Sequence, residues 1–342
     1  MWVSPKSLII FSLSLICIQK SCQQPISPIK STPVMSTELI QPDYLKAGDT
    51  VAIVAPSGIL NDKEAEIERA KALLEGWGLK VKIGNNIFNK AGHFAGSDSE
   101  RKSDLQQAIN DPNIRAVWSA RGGYGTVRVI DQIDYSALKT NPKWIIGYSD
   151  ITALHNDLNN QGIESIHAMM CSSLPEDLTE IDSTIHSFKK AIFGEPLSYV
   201  IPGSEYNRSG DATGALVGGN LTLLHTMLGS RSTINTNGKI VFFEEIGEYA
   251  YHIDRMLMSL KRAGFFNGCK GVIVGDISKV RENTTPWGKP IEQLVLDALV
   301  DYDFPIAFGF PAGHEKDNRA LILGRRISLK VDTLKTKVVF SE

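Results

Sequence analysis

The chain is poor in cysteine and has no marked excess of charge of either sign. Its 342 residues include four cysteines, and 36 Lys and Arg against 38 Asp and Glu give a formal net charge of -2. A disulfide-dense scaffold is therefore excluded, and no basic block indicates a nucleic-acid partner. Cys171 and Cys269 carry no motif, and we favour buried thiols over a disulfide. The length and ordinary apolar content predict about two globular domains.

Motifs for metals and nucleotides are also missing. No Cys/His set has the spacing of a zinc site, and no segment has the HExxH pattern. The glycine-rich residues 121–125 (RGGYG) lack the lysine and hydroxyl residue of a P-loop and the spacing of a dinucleotide fingerprint. We therefore predict neither a metal nor an organic cofactor.

The longest apolar run lies at the N-terminus. Lys6 precedes mostly apolar residues at 7–18, and a Gln-, Ser- and Pro-rich tract follows to about residue 37. This layout is typical of a secretory signal and is short for a membrane span. Ser21 before Cys22 resembles a lipoprotein processing site, although Gln19 stands where leucine is usual. We predict that the protein is exported and is either periplasmic or anchored to the membrane through a lipidated Cys22. A plain cleaved signal and a cytoplasmic location are the alternatives.

After a signal and linker segment (1–45), apolar runs alternate with helical patterns. The apolar runs predict buried strands at 49–56, 79–83, 114–120 and 144–147. Their short connections predict an α/β domain with a parallel sheet wrapped by helices over residues 46–168. After a connector at 169–211, residues 212–342 predict a mixed, β-rich α/β domain. In such sheets, active sites lie at the carboxyl ends of the strands.

One such end is the run 144–147, which stops at a glycine and is followed by Tyr148, Ser149 and Asp150. A serine at a strand-to-helix turn exposes its hydroxyl, and the next N–H, that of Asp150, points where an oxyanion forms. Ile151 stands where the elbow of the α/β-hydrolases requires glycine, so the pattern is not theirs. Ser and Asp are also preferred helix N-caps. The spacing alone leaves both a nucleophile and a cap open.

A second strand end carries Arg121, Gly122 and Gly123. Glycines at this position let the backbone approach a ligand closely and supply a further oxyanion N–H, and Arg121 can hold a carboxylate. A tight turn is the alternative interpretation.

A serine nucleophile needs a base, and the base needs an orienting carboxylate. His314 follows an apolar run on a predicted loop, where catalytic residues are common. Glu244 and Glu245 end a predicted buried strand, where an inward carboxylate needs a partner. A surface loop or a helix cap is the alternative for each of them.

Several short motifs occur in one order from about residue 48 to the C-terminus. They are VAIVAPS at 51–57, RGGYG at 121–125, IGYSDI at 146–151, IH at 166–167, GGN at 218–220, FEEI at 243–246, DR at 254–255, GVIVG at 271–275, and GH at 313–314 with Asn318. In these stretches the chain resembles the bacterial serine LD-carboxypeptidases, the muramoyltetrapeptide carboxypeptidase family. This family includes the microcin C self-immunity peptidase.

The resemblance implies specific site residues. The implied triad is Ser149, Glu244 and His314, with oxyanion N–H groups from Asp150 and Gly123. The predicted substrate contacts are Arg121, Gly122, Tyr148 and Asn220. Because the triad draws on both predicted domains, we expect the active site in the cleft between them. The family often has Asp where this chain has Glu245, so Glu245 and Glu248 stay open as partners of the histidine.

The resemblance also implies an activity. It is hydrolysis of an LD-amide bond that releases D-alanine from a murein tetrapeptide through an acyl-enzyme on Ser149, without a cofactor. The resemblance further implies a homodimer. Two alternatives stay open, namely cleavage of a peptidyl-nucleotide antibiotic and a catalytically inactive lipoprotein that binds the cell wall.

Overall fold

Residues 39–282 and 284–341 are described by the computed structural model. The predicted signal segment, with Cys17 and Cys22, lies outside the described residues. Within them, no helix is both long and apolar enough to cross a membrane. Cys171 and Cys269 are free and buried, which confirms the prediction of two thiols.

The described residues form strands and α-helices in a largely alternating order. The helices are α1 (Glu64–Gly76), α2 (Asp98–Asn110), α3 (Ser136–Thr140), α4 (Thr152–Asn160), α5 (Asp182–Phe193), α6 (Leu221–Thr226), α7 (Ala250–Arg262) and α8 (Ile291–Ala298). The strands are β1 (Thr50–Val54), β2 (Lys80–Ile83), β3 (Ile114–Ser119), β4 (Trp144–Gly147), β5 (Ser165–His167), β6 (Ser198–Pro202), β7 (Gly210–Asn220), β8 (Ile240–Ile246), β9 (Gly271–Ser278), β10 (Ile306–Ala307), β11 (Leu321–Leu323), β12 (Arg326–Val331) and β13 (Lys335–Phe340).

The first sheet has the strand order β11-β5-β4-β3-β1-β2. Strands β1 to β5 run parallel, as the short connections predicted. Strand β11 pairs antiparallel with β5, from Leu321 opposite His167 to Leu323 opposite Ser165. One edge of this sheet therefore comes from residues that the sequence assigned to the second domain.

The second sheet has the order β10-β9-β8-β7-β12-β13-β6 and is mixed, as predicted. Strands β7 to β10 are parallel, whereas β12, β13 and β6 pair antiparallel. Strand β6 lies inside the stretch expected to be only a connector. Strand β8 continues through Ile246, so Glu244 and Glu245 lie within the strand rather than after it. Together the two sheets confirm the predicted α/β fold with parallel and mixed halves.

The two sheets share one apolar core. Trp118 of β3 packs against Phe188 of α5 at 5.1 Å between ring centroids. The same continuous cluster of buried side chains includes Phe242 of β8 and Leu329 of β12. Each sheet has a second face that points away from this shared core. Helices α2 to α4 cover that face of the first sheet, and helices α6 to α8 cover that face of the second sheet. The parts that carry Ser149 and Glu244 are therefore packed against each other.

A buried ion pair fastens the two sheets at another point. Arg325, between β11 and β12, donates from Nε and Nη2 to the two carboxylate oxygens of Glu164 at 2.7 and 2.6 Å. Both residues are buried, and Arg325 Nη1 also donates to the Tyr44 hydroxyl at 3.0 Å. Each of these buried charges needs the other, because a single unpaired charge away from water would strongly destabilise the fold.

We predict that Arg325→Met lowers the free energy of unfolding by about 3–5 kcal/mol, because it leaves the buried Glu164 carboxylate without its cation. Urea denaturation at neutral pH measures this change. Lys330→Met is the matched control, since Lys330 is largely exposed and its nitrogen lies 4.0 Å from Asp211. We expect little change there. Equal effects in the two variants would contradict the prediction.

Candidate active site

Ser149 lies at the end of β4, near the centre of the first sheet. Its φ of +60° places it in the left-handed region, which is uncommon for a residue other than glycine. It begins the short 3-10 turn Ser149–Ile151, which leads directly into α4. The side chain caps neither helical segment. Its Oγ instead lies 3.1 Å from Nε2 of His314. The geometry is that of a presented hydroxyl rather than of a helix cap.

His314 connects Ser149 to a carboxylate on the second sheet. Its Nδ1 lies 2.6 Å from Oε2 of Glu244, whose side chain is fully buried. With Nδ1 as the donor to this carboxylate, Nε2 is left as the acceptor for the serine hydroxyl. The three side chains therefore form a continuous hydrogen-bonded chain in the order needed to remove a proton from Ser149.

Two glycines make room for the Glu244 carboxylate. Strand β9 contains an irregularity opposite Glu244, where its register with β8 shifts. A Cβ at Gly275 would lie 2.4 Å from the Ala312 carbonyl oxygen and 3.2 Å from the Cβ of Glu244. A Cβ at Gly313 would also lie 3.2 Å from the Cβ of Glu244. Larger residues at either position would displace the acid or the loop that carries His314.

The other two candidate acids face elsewhere. Glu245 accepts hydrogen bonds at 2.7 Å from both the backbone N–H and the hydroxyl of Thr222, and one at 3.1 Å from Asn220 Nδ2. Burial raises the pKa of Glu245 despite these hydrogen bonds. Glu248 lies 2.5 Å from Nδ1 of His252. Adjacent strand residues point to opposite faces, so only Glu244 is directed at His314.

The charge around His314 favours its protonated form. Burial acts to lower the pKa of this imidazole, but the hydrogen bond and charge of Glu244 outweigh burial and raise it above the usual value. The charges of Glu245 and Asp276 act in the same direction. Asp276 also accepts a hydrogen bond from the His314 backbone N–H at 3.2 Å. An imidazolium formed during proton transfer is therefore stabilised.

The glycine-rich stretch with the predicted oxyanion residue Gly123 contacts the serine turn through its neighbouring residues. The buried Asp150 carboxylate accepts from the Thr126 N–H at 2.8 Å and so ties this turn to the glycine-rich stretch. A Cβ at Gly122 would lie 3.1 Å from the Cβ of Ser149. The next residue, Gly123, has a φ of +99°, and within the described residues its N–H has no hydrogen-bond partner. The close approach between backbone and serine depends on glycine.

The predicted substrate contacts differ in their surroundings. Tyr148 lies at the site, with its ring centroid 4.9 Å from that of His314. Arg121 donates from Nη1 to the Ile59 carbonyl, which is a contact within the protein. Asn220 is buried, caps α6 by accepting from the Leu223 N–H at 3.2 Å, and holds Glu245. The bonds of Arg121 and Asn220 are thus structural, whereas Tyr148 borders the reacting groups.

Sequence reasoning missed several residues that position the site. Thr152 Oγ1 accepts from the Asn220 N–H at 2.9 Å and so links α4 to β7. Asn318 Oδ1 accepts from the Gly313 N–H at 3.0 Å, and the Asn318 N–H donates to Thr184 Oγ1 at 2.8 Å. Asn318 belonged to the family motifs, but its role in positioning the site was not predicted. No sequence pattern around Thr184 indicated its hydrogen bond with Asn318. In the described part of the chain, no group of three or more His, Cys, Asp or Glu residues could hold a metal ion.

Two protein-family models match the chain. The model of the LD-carboxypeptidase N-terminal domain matches residues 51–168, and that of the C-terminal domain matches residues 213–329. The chain belongs to the LD-carboxypeptidase family. The first match contains Ser149, and the second contains Glu244 and His314. All three members of the hydrogen-bonded chain therefore lie in regions that define the family.

Named relatives of this chain agree with the assignment to the family. The chain is 34% identical to a Bacillus subtilis protein named "probable murein peptide carboxypeptidase", over 84% of this chain and 91% of that one. It is 27% identical to the murein tetrapeptide carboxypeptidase of Pseudomonas aeruginosa, over 83% and 94% of the two chains. The crystal structure of muramoyltetrapeptide carboxypeptidase from Oxalobacter formigenes is 27% identical, with a TM-score of 0.78 over 86% of this chain and 99% of that one.

The fold is also that of the microcin C7 self-immunity protein MccF. In its wild-type form, that protein matches with a TM-score of 0.79 over 89% of this chain and 98% of its own, at 22% identity. At this identity the match concerns the fold alone.

We predict that Glu244→Gln lowers the pKa of His314, because it removes the carboxylate whose hydrogen bond and charge raise that pKa. We also expect kcat to fall by about 10⁴-fold, since an amide can hold the wrong imidazole tautomer. An NMR titration of His314 reports the first change and steady-state kinetics report the second. Glu248→Gln is the control. Unchanged titration of His314 in Glu244→Gln would contradict the prediction.

Proposed function

We propose that this member of the family is a serine-type LD-carboxypeptidase that releases C-terminal D-alanine from murein tetrapeptides. The observation that carries the proposal is the chain from Ser149 Oγ through His314 to the buried Glu244, with contacts of 3.1 and 2.6 Å. The names of the relatives from Bacillus subtilis and Pseudomonas aeruginosa support a murein peptide as the substrate class. A complete triad also counts against the alternative of an inactive lipoprotein.

The proposed reaction begins with proton transfer. As Ser149 Oγ attacks the carbonyl carbon of the scissile amide, its proton passes to His314 Nε2, and Glu244 stabilises the imidazolium. The negative charge that develops on the carbonyl oxygen is held by the N–H groups of Asp150 and Gly123. These donors are fixed before the substrate arrives, because the Asp150 carboxylate anchors the turn to the glycine-rich stretch.

Collapse of the tetrahedral intermediate breaks the carbon–nitrogen bond. His314 gives its proton to the leaving nitrogen, so that free D-alanine departs and the remaining tripeptide stays as an ester on Ser149. A water molecule then gives its proton to His314 and attacks the ester. The serine regains its proton as the tripeptide leaves with a free carboxyl group. The cycle needs no cofactor.

The decisive assay uses L-Ala-D-Glu-meso-diaminopimelate-D-Ala and measures free D-alanine. We expect release by the wild type and a fall in kcat of about 10⁴-fold or more in Ser149→Ala, because the nucleophile is removed without adding volume. Ser198→Ala is the matched control, because Ser198 carries an exposed hydroxyl on β6 that the proposed reaction does not use. Turnover by Ser149→Ala at the wild-type rate would contradict the assignment of Ser149 as the nucleophile.

A second candidate is cleavage of a peptidyl nucleotide, as the likeness to the self-immunity fold permits. One observation favours it, a cavity of about 560 Å³ whose lining includes Tyr249, Tyr251 and Trp287. Tyr251 and Trp287 are about 40% exposed, and an accessible aromatic face can stack on a nucleobase. The same enzyme preparation should be offered an aminoacyl sulfamoyl adenosine. Cleavage of this compound without any release of D-alanine from the tetrapeptide would favour the second candidate.

We also propose that the protein is exported and anchored through lipidated Cys22, with a plain secreted form and a cytoplasmic location as the alternatives. A homodimer stays a prediction of the family resemblance. Metabolic labelling with a palmitate analogue should mark the wild type and leave Cys22→Ala unmarked, because the Cys22 sulfur is the proposed attachment point of the acyl-bearing lipid. Cys171→Ala, which removes a buried thiol, controls for unspecific labelling. Equal labelling with and without Cys22 would rule out this site.

A further inference from the structure

A small cavity borders the proposed general base. It has a volume of about 230 Å³, which is below the usual range for drug-sized ligands and suits a single amino acid. Its walls come from the end of β4, from the stretch between β5 and α5, from α5 itself and from the loop that carries His314. The lining includes Tyr148, Ser173, Glu180, His314, Glu315 and Lys316.

The position of the cavity relates it to one side of the scissile bond. In the proposed reaction, His314 Nε2 first takes the proton of Ser149 and then delivers it to the leaving nitrogen. The leaving group must therefore lie within reach of His314. Both His314 and Tyr148 line the cavity, so a group bound there lies next to the base that protonates the leaving nitrogen.

Three side chains that can donate hydrogen bonds to a carboxylate line this cavity, namely those of Tyr148, Ser173 and Lys316. The hydroxyls of Tyr148 and Ser173 lie 3.4 Å apart. Burial raises the pKa of Tyr148, so its phenol keeps the proton that it can donate. Lys316 has three ammonium hydrogens, and its nitrogen lies 2.5 Å from the carboxylate of Glu180. The contact with Glu180 uses one of these hydrogens, so the others can bind a ligand. The Lys316 side chain is 76% exposed and therefore accessible to a ligand.

The backbone that carries Lys316 is held in place from α5. The buried Thr184 hydroxyl donates to the Lys316 carbonyl at 2.9 Å and accepts from the Asn318 N–H at 2.8 Å. One hydroxyl thus anchors the chain on both sides of residue 317. Among the charged groups that line the cavity, Glu180 and Glu315 are acidic, so the attraction for an anion comes from Lys316.

We propose that this cavity is the leaving-group subsite, in which Lys316, together with the Tyr148 and Ser173 hydroxyls, binds the free α-carboxylate of the C-terminal D-amino acid. The proposal rests on the proposed function and adds the residues that select a terminal residue over an internal one. It assigns a role in specificity to residues 169–184, which the sequence marked as a connector.

The test compares two substrates that differ at one group. They are the tetrapeptide with its free carboxylate and the same tetrapeptide ending in D-alaninamide, and the value measured is the ratio of their kcat/KM values. We expect the wild type to prefer the acid by roughly 10- to 100-fold, the range for a hydrogen bond to a charged group. Lys316→Met should bring this ratio close to one, mainly by raising KM for the acid, and Lys316→Arg should restore most of it.

Lys289→Met is the matched control, because Lys289 forms a similar exposed ion pair with Asp297 at 2.5 Å. We expect the wild-type ratio in this variant. The proposal is overturned if the wild type hydrolyses acid and amide equally, or if Lys316→Met keeps the wild-type ratio. In both cases the release of D-alanine still supports the proposed function. Failure of the wild type to cleave either substrate would contradict the proposed function and, with it, this subsite.

Discussion

The fully buried carboxylate of Glu244 is the constraint on which the arrangement of this protein depends. Removing an ionised carboxylate from water is costly unless a partner compensates it, and here the contact with His314 does so. The acid lies inside a central strand of the second sheet, whereas the histidine lies on a loop. The irregular β9 and the glycines at 275 and 313 give the two groups space to meet. The backbone around the two side chains is therefore arranged for this one contact between a carboxylate and an imidazole.

Ser149 reaches the same pair from the first sheet. A nucleophile on one sheet and a base on the other stay within 3.1 Å only if the sheets keep their positions. The shared apolar core and the buried contact between Arg325 and Glu164 provide this rigidity. The hydrogen bond between Thr152 and Asn220 does the same close to the reacting groups. Stability and activity are coupled here, because the contacts that join the sheets also align the triad.

Much of this could be predicted from the sequence, and the limits have physical causes. Buried parallel strands reveal themselves as continuous apolar runs, and the turn at Ser149 follows from such a run ending at glycine. The choice between Glu244 and Glu245 could not be made, because it depends on which face of β8 meets the loop. The hydrogen bonds of Arg121 and Asn220 to other groups of the protein could not be predicted from the sequence either. Long-range pairings such as that of β11 leave no local pattern in the chain.

Strand β11 also affects the order in which the protein can fold. Domains usually fold from the N-terminus while the chain is still being synthesised. In this protein, the edge of the first sheet is supplied by Leu321–Leu323, close to the end of the chain. Until those residues have been made, β5 keeps an open edge and the Arg325 partner of Glu164 is missing. The first sheet of a nascent chain therefore remains incomplete until Leu321–Leu323 have been made.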